Sequence, residues 1–490
     1  MNGGRTLASA AVQRKSGYHR PMISRPLLLM PLLALAACAS GPDYRAPGAA
    51  ALGVPDRYAG EAGAGAPSAE ELALWWRQLG DSVLDRLIDD AIAGNLDLAV
   101  ATTRLRQARE ALVQARADRT PSIGASAGAR QDFDLNRNGN RDFGLSLGAD
   151  ASYEADLFGG VSRNIQAARA DAGAVAFDLA TVRIATIGEV ANNYIQARQA
   201  QQRLANARET LGIADDNLEI AGWRVQAGLV STLDVEQARA QRAQTAATIP
   251  SLEQQYAAAA YRLAVLTGRA PGAVSALLAE PRPIPTGPDA VAVGIPADSL
   301  RQRPDVRASE RSLAAATARI GVAEAQLRPA LGISGSIGTA AFTPGGLVDL
   351  IAGNLFAGLT QTLFDGGRLR SQVRAQEAAA EGAFATYRQT ILVALEDVEN
   401  GLVALQAAKA RQQEFAVALD ASNNQAILAR SQYRAGLTDF QTLLEAERSL
   451  LSARDGLTNA RAEQALAIVQ LYRALGGGWD PLAPTVESAS

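Results

Sequence analysis

Four landmarks in this 490-residue chain each occur twice in nearly one register. Thr120-Pro121-Ser122 recurs as Arg328-Pro329-Ala330, Gly159-Gly160 as Gly366-Gly367, Ala227-Gly228-Leu229 as Ala435-Gly436-Leu437, and Gly268 as Gly476. The separations are 208, 207, 208 and 208 residues. A register held over the whole length means two copies of one supersecondary unit, and a period this long is not that of a solenoid. Whatever one copy folds into, the chain must place a second beside it.

The ends and the composition narrow what those copies can do. Residues 1–25 hold Arg5, Arg14, Lys15, Arg20 and Arg25 and no acid, and Pro26 to Ala37 form an apolar stretch too short to span a bilayer as a helix. Residues 1–37 therefore read as a signal peptide, with Met22 an alternative start that gives a more usual short basic region. Leu35-Ala36-Ala37-Cys38 resembles the lipobox of bacterial lipoproteins, where cleavage precedes the Cys and lipid is attached to it. Cys38 is the expected lipidation site, and Ala39 beside it, with no Asp there, resembles outer-membrane sorting. Loss of the leader removes the only His, His19, and all three Met, Met1, Met22 and Met30. A chain without imidazole, free thiol or thioether cannot build a Ser-His-Asp triad, a Cys nucleophile or the usual zinc and copper sites. No catalytic residue, no metal site and no cofactor beyond the covalent lipid is expected. The leader also takes five of the 47 Lys and Arg, leaving 42 against 50 Asp and Glu, a net −8 that argues against a nucleic-acid partner.

Residues 38–79 read as an N-terminal lipidated linker, rich in Ala, Gly and Pro as far as residue 70, and residues 80–280 as the first copy. Trp75-Trp76 precedes Asp81-Ser82-Val83-Leu84-Asp85, a capped helix start. From 96 to 118, Leu98, Leu105, Ala108, Leu112 and Ala115 have helical spacing, which Pro121 ends. The period then changes from 3.6 to 2. Ile123, Ala125, Ala127 and Ala129 alternate with Ser122, Gly124, Ser126, Gly128 and Arg130. Phe143, Leu145, Leu147, Ala149, Ala151 and Tyr153 alternate with Gly144, Ser146, Gly148, Asp150, Ser152 and Glu154. Apolar residues on one side and small or charged ones on the other are what a membrane barrel strand needs, although a soluble hairpin packed on helices shares the period. Leu135 to Arg141, with its Asn138-Gly139 pair, reads as the turn between strands covering about 121–157. In the second copy Leu331, Ile333 and Ile337 alternate with Gly332, Ser334, Ser336 and Gly338, and the strands cover about 329–364. Its return strand is expected at roughly 355–364, after a loop containing Pro344-Gly345-Gly346.

After each double Gly comes a very long helical stretch. No Pro lies between Pro121 and Pro250 or between Pro344 and Pro481, and residues 160–226 would make a rod of about 100 Å. Val190, Ala197, Leu204, Leu211, Leu218 and Val225 repeat every seven residues, as do Ile391, Val398 and Leu405. That is a coiled-coil seam, and its many Ala positions permit close approach. Each rod ends near Gly228 or Gly436, and a return helix starts with Ser231 to Asp234 or Thr438 to Gln441, both at capping-box spacing. Pro250 is expected to kink or interrupt the first return helix. The helical hairpins span about 160–267 and 368–475, residues 281–302 link the copies, 303–478 form the second copy and 479–490 a C-terminal tail. The fold class is thus mainly α with a membrane β-barrel, each copy being a β-hairpin plus a long coiled-coil helical hairpin. Four strands cannot close a barrel, since the smallest natural ones use about eight, so the chain must oligomerise if they lie in a membrane.

At this level of detail the residues resemble the TolC-like outer-membrane efflux proteins, in the lipoprotein branch serving resistance-nodulation-division pumps. The resemblance rests on Cys38 followed by Gly41-Pro42-Asp43-Tyr44, on Trp75-Trp76, and on Asn95-Leu96-Asp97-Leu98. It rests further on Asp156-Leu157-Phe158-Gly159-Gly160, on Gly228-Leu229-Val230-Ser231 with Leu233-Asp234-Val235, on Arg303-Pro304-Asp305-Val306-Arg307 and on Leu363-Phe364-Asp365-Gly366-Gly367. It covers essentially all of the chain after the leader. It implies a homotrimer with a 12-stranded barrel and a periplasmic α-helical tunnel, held in the outer membrane with a lipid anchor. It further implies export of small molecules with a periplasmic adaptor and an inner-membrane pump as partners. The family docks its adaptor and closes its tunnel at the helical tips. That places docking at Gly228, Leu229 and Ser231 in the first copy and at Tyr433, Arg434, Gly436, Leu437 and Thr438 in the second, where the glycines also serve as helix ends. The family often carries an acidic ring in the closed tip, and Glu445 falls on that position. Three carboxylates around a three-fold axis repel, hold cations and disfavour anions. Thr442 departs from the pattern, standing where some members have a second Asp ring, which leaves Asp439 as a further gate candidate.

Other classes explain less. Gly124-Ala125-Ser126-Ala127-Gly128 fits the Gly-x-Ser-x-Gly nucleophile elbow, but it sits in an alternating strand of a chain with no His after the leader. A lipid-anchored helical scaffold keeps the coiled coil and leaves the paired hairpins and the acidic tip unexplained. A type I protein-secretion channel is the alternative within the family, against which the lipobox weighs. The cargo is not written in these residues.

Overall fold

The computed structural model describes residues 40–59, 68–131, 143–288, 290–348 and 351–480. The leader, Cys38, the turn with Asn138-Gly139 and residues 481–490 lie outside the described residues. Helices α1 (Ser82–Gly94) and α2 (Leu96–Ala117) lead into strands β1 (Ser122–Gln131) and β2 (Phe143–Ala155), then α3 (Gly160–Gln226) and α4 (Thr232–Leu266). The second copy runs α5 (Pro304–Ala325), β3 (Ala330–Ala341), β4 (Ala352–Thr360), α6 (Arg368–Arg434) and α7 (Phe440–Ala474). Both long helices have 67 residues, both return helices have 35, and every one of their ends is displaced by 208.

The caps explain where these elements begin. Gly159 and Gly367, at φ 79° and 89°, stand before α3 and α6 in a left-handed conformation that a Cβ would strain. They are the true counterparts, so the double glycines also align at 208 and not at the 207 that the motif spells. An aspartate covers each of these helix starts. Asp156 accepts from the amides of Val161 and Ser162, and Asp365 from those of Gly367 and Leu369. Asp81 caps α1 and Ser231 caps α4 as their positions require. The second return helix differs from expectation, for its cap is Asp439 rather than Thr438, again 208 residues after its counterpart.

Pro250 lies inside α4 without interrupting it. The helix matches its proline-free counterpart in length, and packing along α3 sustains it past the missing amide. The seam also differs in detail. Val190 and Ala197 are fully buried, but nearer the tip the buried line is Ala200, Ala207, Ala214 and Ala221, with Leu204, Leu211, Leu218 and Val225 half-buried beside it. Alanine at the contact lets α3 and its neighbours approach more closely than leucine would. The counterparts in α6 are Ala408, Phe415, Ser422 and Ala429, and the ring of Phe415 lies over Gly456 of α7.

The strands form one antiparallel sheet in the order β1-β2-β3-β4. The register aligns Ala125 with Ala149 and Ala149 with Ile337, and aligns Gly124 with Asp150 and Asp150 with Ser336. Directly paired residues share a face, so the alternation of each strand adds up across the sheet. One face carries Ile123, Leu145, Leu147, Tyr153, Ile333, Ile337, Leu355 and Leu359, the other Ser, Gly, Asp150 and Glu154. Phe356 is an exception on the small-residue face, over Gly358. The return strand β4 ends at Thr360, four residues short of its expected end, which leaves Leu363 and Phe364 beyond the sheet. No helix among the described residues is long and apolar enough to cross a membrane.

The main core sits midway along the long helices. Trp75 stacks on Tyr472 at 5.3 Å between ring centres, and Trp76, Leu87, Ile88, Ile187, Tyr194, Leu263 and Ile468 close around them. The stretch read as an extended N-terminal linker therefore contains helices Ala49–Leu52 and Ala69–Ala73, and Trp75 and Trp76 are buried to its end. The inter-repeat linker likewise holds a helix, Pro296–Gln302, and buries Val291 and Val293. Burying two indoles and several aliphatic side chains stabilises these segments by several kcal/mol, enough to order chain that its composition alone would leave extended.

Candidate functional site at the helix tips

The two helical hairpins end side by side in closely similar turns. Gly228 and Gly436 take φ 70° and 73°. The amides of Gly228 and Leu229 bond back to Val225 and Arg224, and those of Gly436 and Leu437 to Tyr433 and Gln432. This is the Schellman pattern, and it satisfies the last carbonyls of each long helix. Leu229 and Leu437, just past each glycine, are 68% and 78% exposed. Gly228, Ser231, Arg434 and Gly436 are exposed with them, and Thr438 is half-buried.

Tyr433 is placed otherwise. Its ring is buried against Phe440, at 5.4 Å between centres, within a tip core of Ala221, Ala238, Ala429, Leu443, Leu444 and Ala446. Tyr433, expected among the docking residues, is thus not exposed, and it packs the tip from within. Arg224 of the first hairpin closes over it. Nη1 of Arg224 donates to the Tyr433 carbonyl at 2.9 Å, and the guanidinium carbon stands 4.5 Å from the ring centre. Burial pushes the Tyr433 hydroxyl up from its ordinary pKa, and Arg224 opposes that shift. Sequence reasoning missed Arg224, because the contact joins residues 209 apart on two hairpins.

The three gate candidates separate into distinct roles. Asp439 accepts from the backbone amide of Thr442 at 2.8 Å and from its hydroxyl at 2.6 Å, and the two bonds hold its carboxyl below the usual aspartate range. Asp439 and Thr442 are thus each other's partners in a helix cap. Glu445 is exposed, and no hydrogen bond or ion pair among the described residues engages it. Two residues on, about 200° around the helix, Glu447 is buried. Its carboxylate accepts from Asn217 of α3 at 2.6 Å and from Nε of Arg430 of α6 at 2.9 Å. One buried carboxylate thereby ties three helices, and no motif announced it.

At the far end of α3 the chain that follows Cys38 is held against the start of that helix and against α5. Ser40 donates its amide to the Phe158 carbonyl at 2.9 Å. Arg163, itself buried, donates to the carbonyls of Ser40 and Gly41 and pairs with Asp43 at 2.8 Å. Gly41 lies so close to Gly321 that a Cβ there would stand 2.4 Å from its Cα. Ser126, of the apparent nucleophile elbow, pairs with Gly148 in mid-strand and occupies no strand-to-helix turn.

Comparison with known proteins agrees with this geometry. The family model for outer membrane efflux proteins matches residues 87–269 and 295–477, one stretch for each copy. The pyoverdine export outer membrane protein OpmQ of Pseudomonas aeruginosa is 33% identical over 464 residues, covering 92% of this chain and 96% of that one. Nodulation protein T of Rhizobium leguminosarum bv. trifolii is 32% identical, covering 92% and 97%. The solved outer-membrane channel OprN superposes with a TM-score of 0.81 at 35% identity, covering 91% of this chain and all of that one. Two copies of a strand hairpin and a 67-residue helix, matched over nine-tenths of the chain, decide the assignment: the chain belongs to the outer membrane efflux protein family and is an outer-membrane efflux channel.

Proposed function

We propose that three copies of this chain close into one conduit across the outer membrane, anchored by lipid on Cys38 and gated at the tips by Glu445. The sheet carries this reading. One chain supplies four antiparallel strands with an apolar face, a small and acidic face, and two unpaired edges, β1 and β4. Three sheets joined edge to edge make twelve strands, above the about eight of the smallest natural barrels, with the apolar face toward lipid. The helices below extend for about 100 Å and continue the conduit into the periplasm. Three copies of Glu445, unengaged by neighbours within the subunit, meet about the axis and favour cations.

The cargo in this reading is small molecules, delivered by an inner-membrane pump through a periplasmic adaptor. Among relatives, OpmQ is a pyoverdine export protein and TtgC of Pseudomonas putida a toluene efflux pump protein. Exposed Leu229 and Leu437, with Gly228, Ser231, Arg434 and Gly436, offer the adaptor an apolar centre at the tips. The Ser40 to Phe158 bond supports the lipid anchor, since it holds Ser40, which follows Cys38 by two positions in the sequence, at the junction of sheet and helix.

Planar-bilayer conductance of the purified lipidated protein, with its mass in detergent, tests the reading. A trimer with small, cation-preferring openings is expected, and Glu445→Ala should raise conductance and reduce the preference for cations. A monomer that does not conduct would overturn the conduit, and unchanged currents in Glu445→Ala would remove the gate.

A further inference from the structure

The two copies differ at the start of their long helices. In the first copy Leu157 and Phe158 are half-buried, and Ser40 bonds across Phe158. In the second copy the Leu-Phe pair, Leu363 and Phe364, stands two residues further from the helix start and is 91% and 90% exposed. The chain has only one N-terminal segment and cannot cover both. Charge differs as well. Arg368, Arg370 and Arg374 are exposed in the first two turns of α6, where α3 has Gly160, Ser162 and Gln166. Cations in a first helical turn oppose the helix dipole, and the acid at this helix start, Asp365, is engaged in the cap by the amides of Gly367 and Leu369. Arg370 and Arg374 meet no carboxylate among the described residues. A sequence that works against local stability at an exposed site marks a surface selected for something outside the subunit.

We propose that Leu363, Phe364, Arg370 and Arg374 form a docking surface for anionic phospholipid of the periplasmic leaflet, the apolar pair entering the acyl boundary and the arginines meeting headgroup phosphates. The proposal rests on the outer-membrane placement of the sheet. Continuity supports it, because Leu363 follows the end of β4 by three residues, and β4 carries Leu355 and Leu359 on the apolar face. Charge complementarity supports it too. The segment before β1, which a closed barrel brings beside β4, holds exposed Arg116, Asp118 and Arg119, a net cation that does not answer further arginines. Lipid phosphate does, bidentately.

Tryptophan in place of Phe364, in liposomes of phosphatidylethanolamine and phosphatidylglycerol brominated high on the acyl chains, tests the apolar half. Ile337→Trp, on the apolar face of β3, is the control for barrel placement. Quenching of both is expected. Quenching of Ile337→Trp alone overturns the proposal and leaves the barrel standing, blue-shifted Phe364→Trp emission then meaning that a second copy covers the site. Absence of quenching in both overturns the placement beneath it. For the charged half, native mass spectrometry of the trimer should show Arg370→Ala and Arg374→Ala each weakening retained phosphatidylglycerol about fivefold, roughly thirtyfold together. Retention unchanged in the double variant overturns the electrostatic contact.

Discussion

Asn95 and Arg303, 208 residues apart, perform the same closure with different atoms. Nδ2 of Asn95 donates to the carbonyl of Leu266, the last residue of α4, at 2.9 Å, and Nη1 of Arg303 donates to the carbonyl of Ala474, the last residue of α7, at 2.9 Å. Each copy thus fastens the end of its return helix to the start of the helix that precedes its strands. Asn95 also accepts from the Leu98 amide, which a guanidinium cannot do, and in the second copy Asp305 accepts from the Val306 amide while pairing with Arg303. Asn95→Ala is expected to cost about 1–2 kcal/mol through the lost cap and the orphaned carbonyl. Arg303→Met should cost more, about 3 kcal/mol, since it leaves Asp305 and the half-exposed Asp397 without their partner. Thermal unfolding followed by circular dichroism in detergent measures both.

The acidic pair in α7 should separate stability from selectivity. Glu447→Ala leaves Asn217 and Arg430 unpaired in the tip and is expected to cost about 2–3 kcal/mol, tempered by the partial exposure of Arg430. Hydrogen exchange should quicken across residues 429–446 while ion selectivity holds. Glu445→Ala should do the reverse.

Phe415 depends on the absence of a side chain opposite. A Cβ on Gly456 would stand 2.3 Å from the Phe415 ring, so Gly456→Ala is expected to destabilise by about 1–3 kcal/mol despite alanine's better helix propensity. Phe415→Ala in the same chain should restore the melting temperature in part, as a double-mutant cycle would register.

Acid should loosen the start of α7. The Asp439 carboxyl lies below its ordinary pKa because Thr442 bonds to its charged form, so its contribution is complete above the unfolded aspartate value and is lost as pH falls through the lower folded one. Exchange of the Thr442 amide should accelerate in that acid window. Asp439→Asn, which caps as well without titrating, should abolish the pH dependence.

Much of this fold was legible because it is periodic. Ile123 to Ala129 and Phe143 to Tyr153 announce strands by alternation, and a proline-free run beyond Gly160 announces a rod, since local chemistry alone specifies both. Pro250 misled because tertiary packing outweighs one absent amide. Trp75 and Trp76 lay in chain that read as a linker, and only their long-range stacking with Tyr472 orders it. At the tips the glycines and Glu445 stood in sequence motifs, whereas Arg224 over Tyr433 and Glu447 with Asn217 join residues more than 200 positions apart. Such pairs leave no local periodicity to read.

Among the described residues, strands β1 and β4 each leave one edge unpaired in a single subunit. Bare edges are templates for any extended chain, and in the proposed trimer only the opposite edge of another subunit satisfies them without error. Assembly then depends steeply on how many subunits are present at once. A lone subunit is a transient hazard during biogenesis, and Ser122–Gln131 and Ala352–Thr360 are the segments a periplasmic chaperone would have to shield until its sisters arrive.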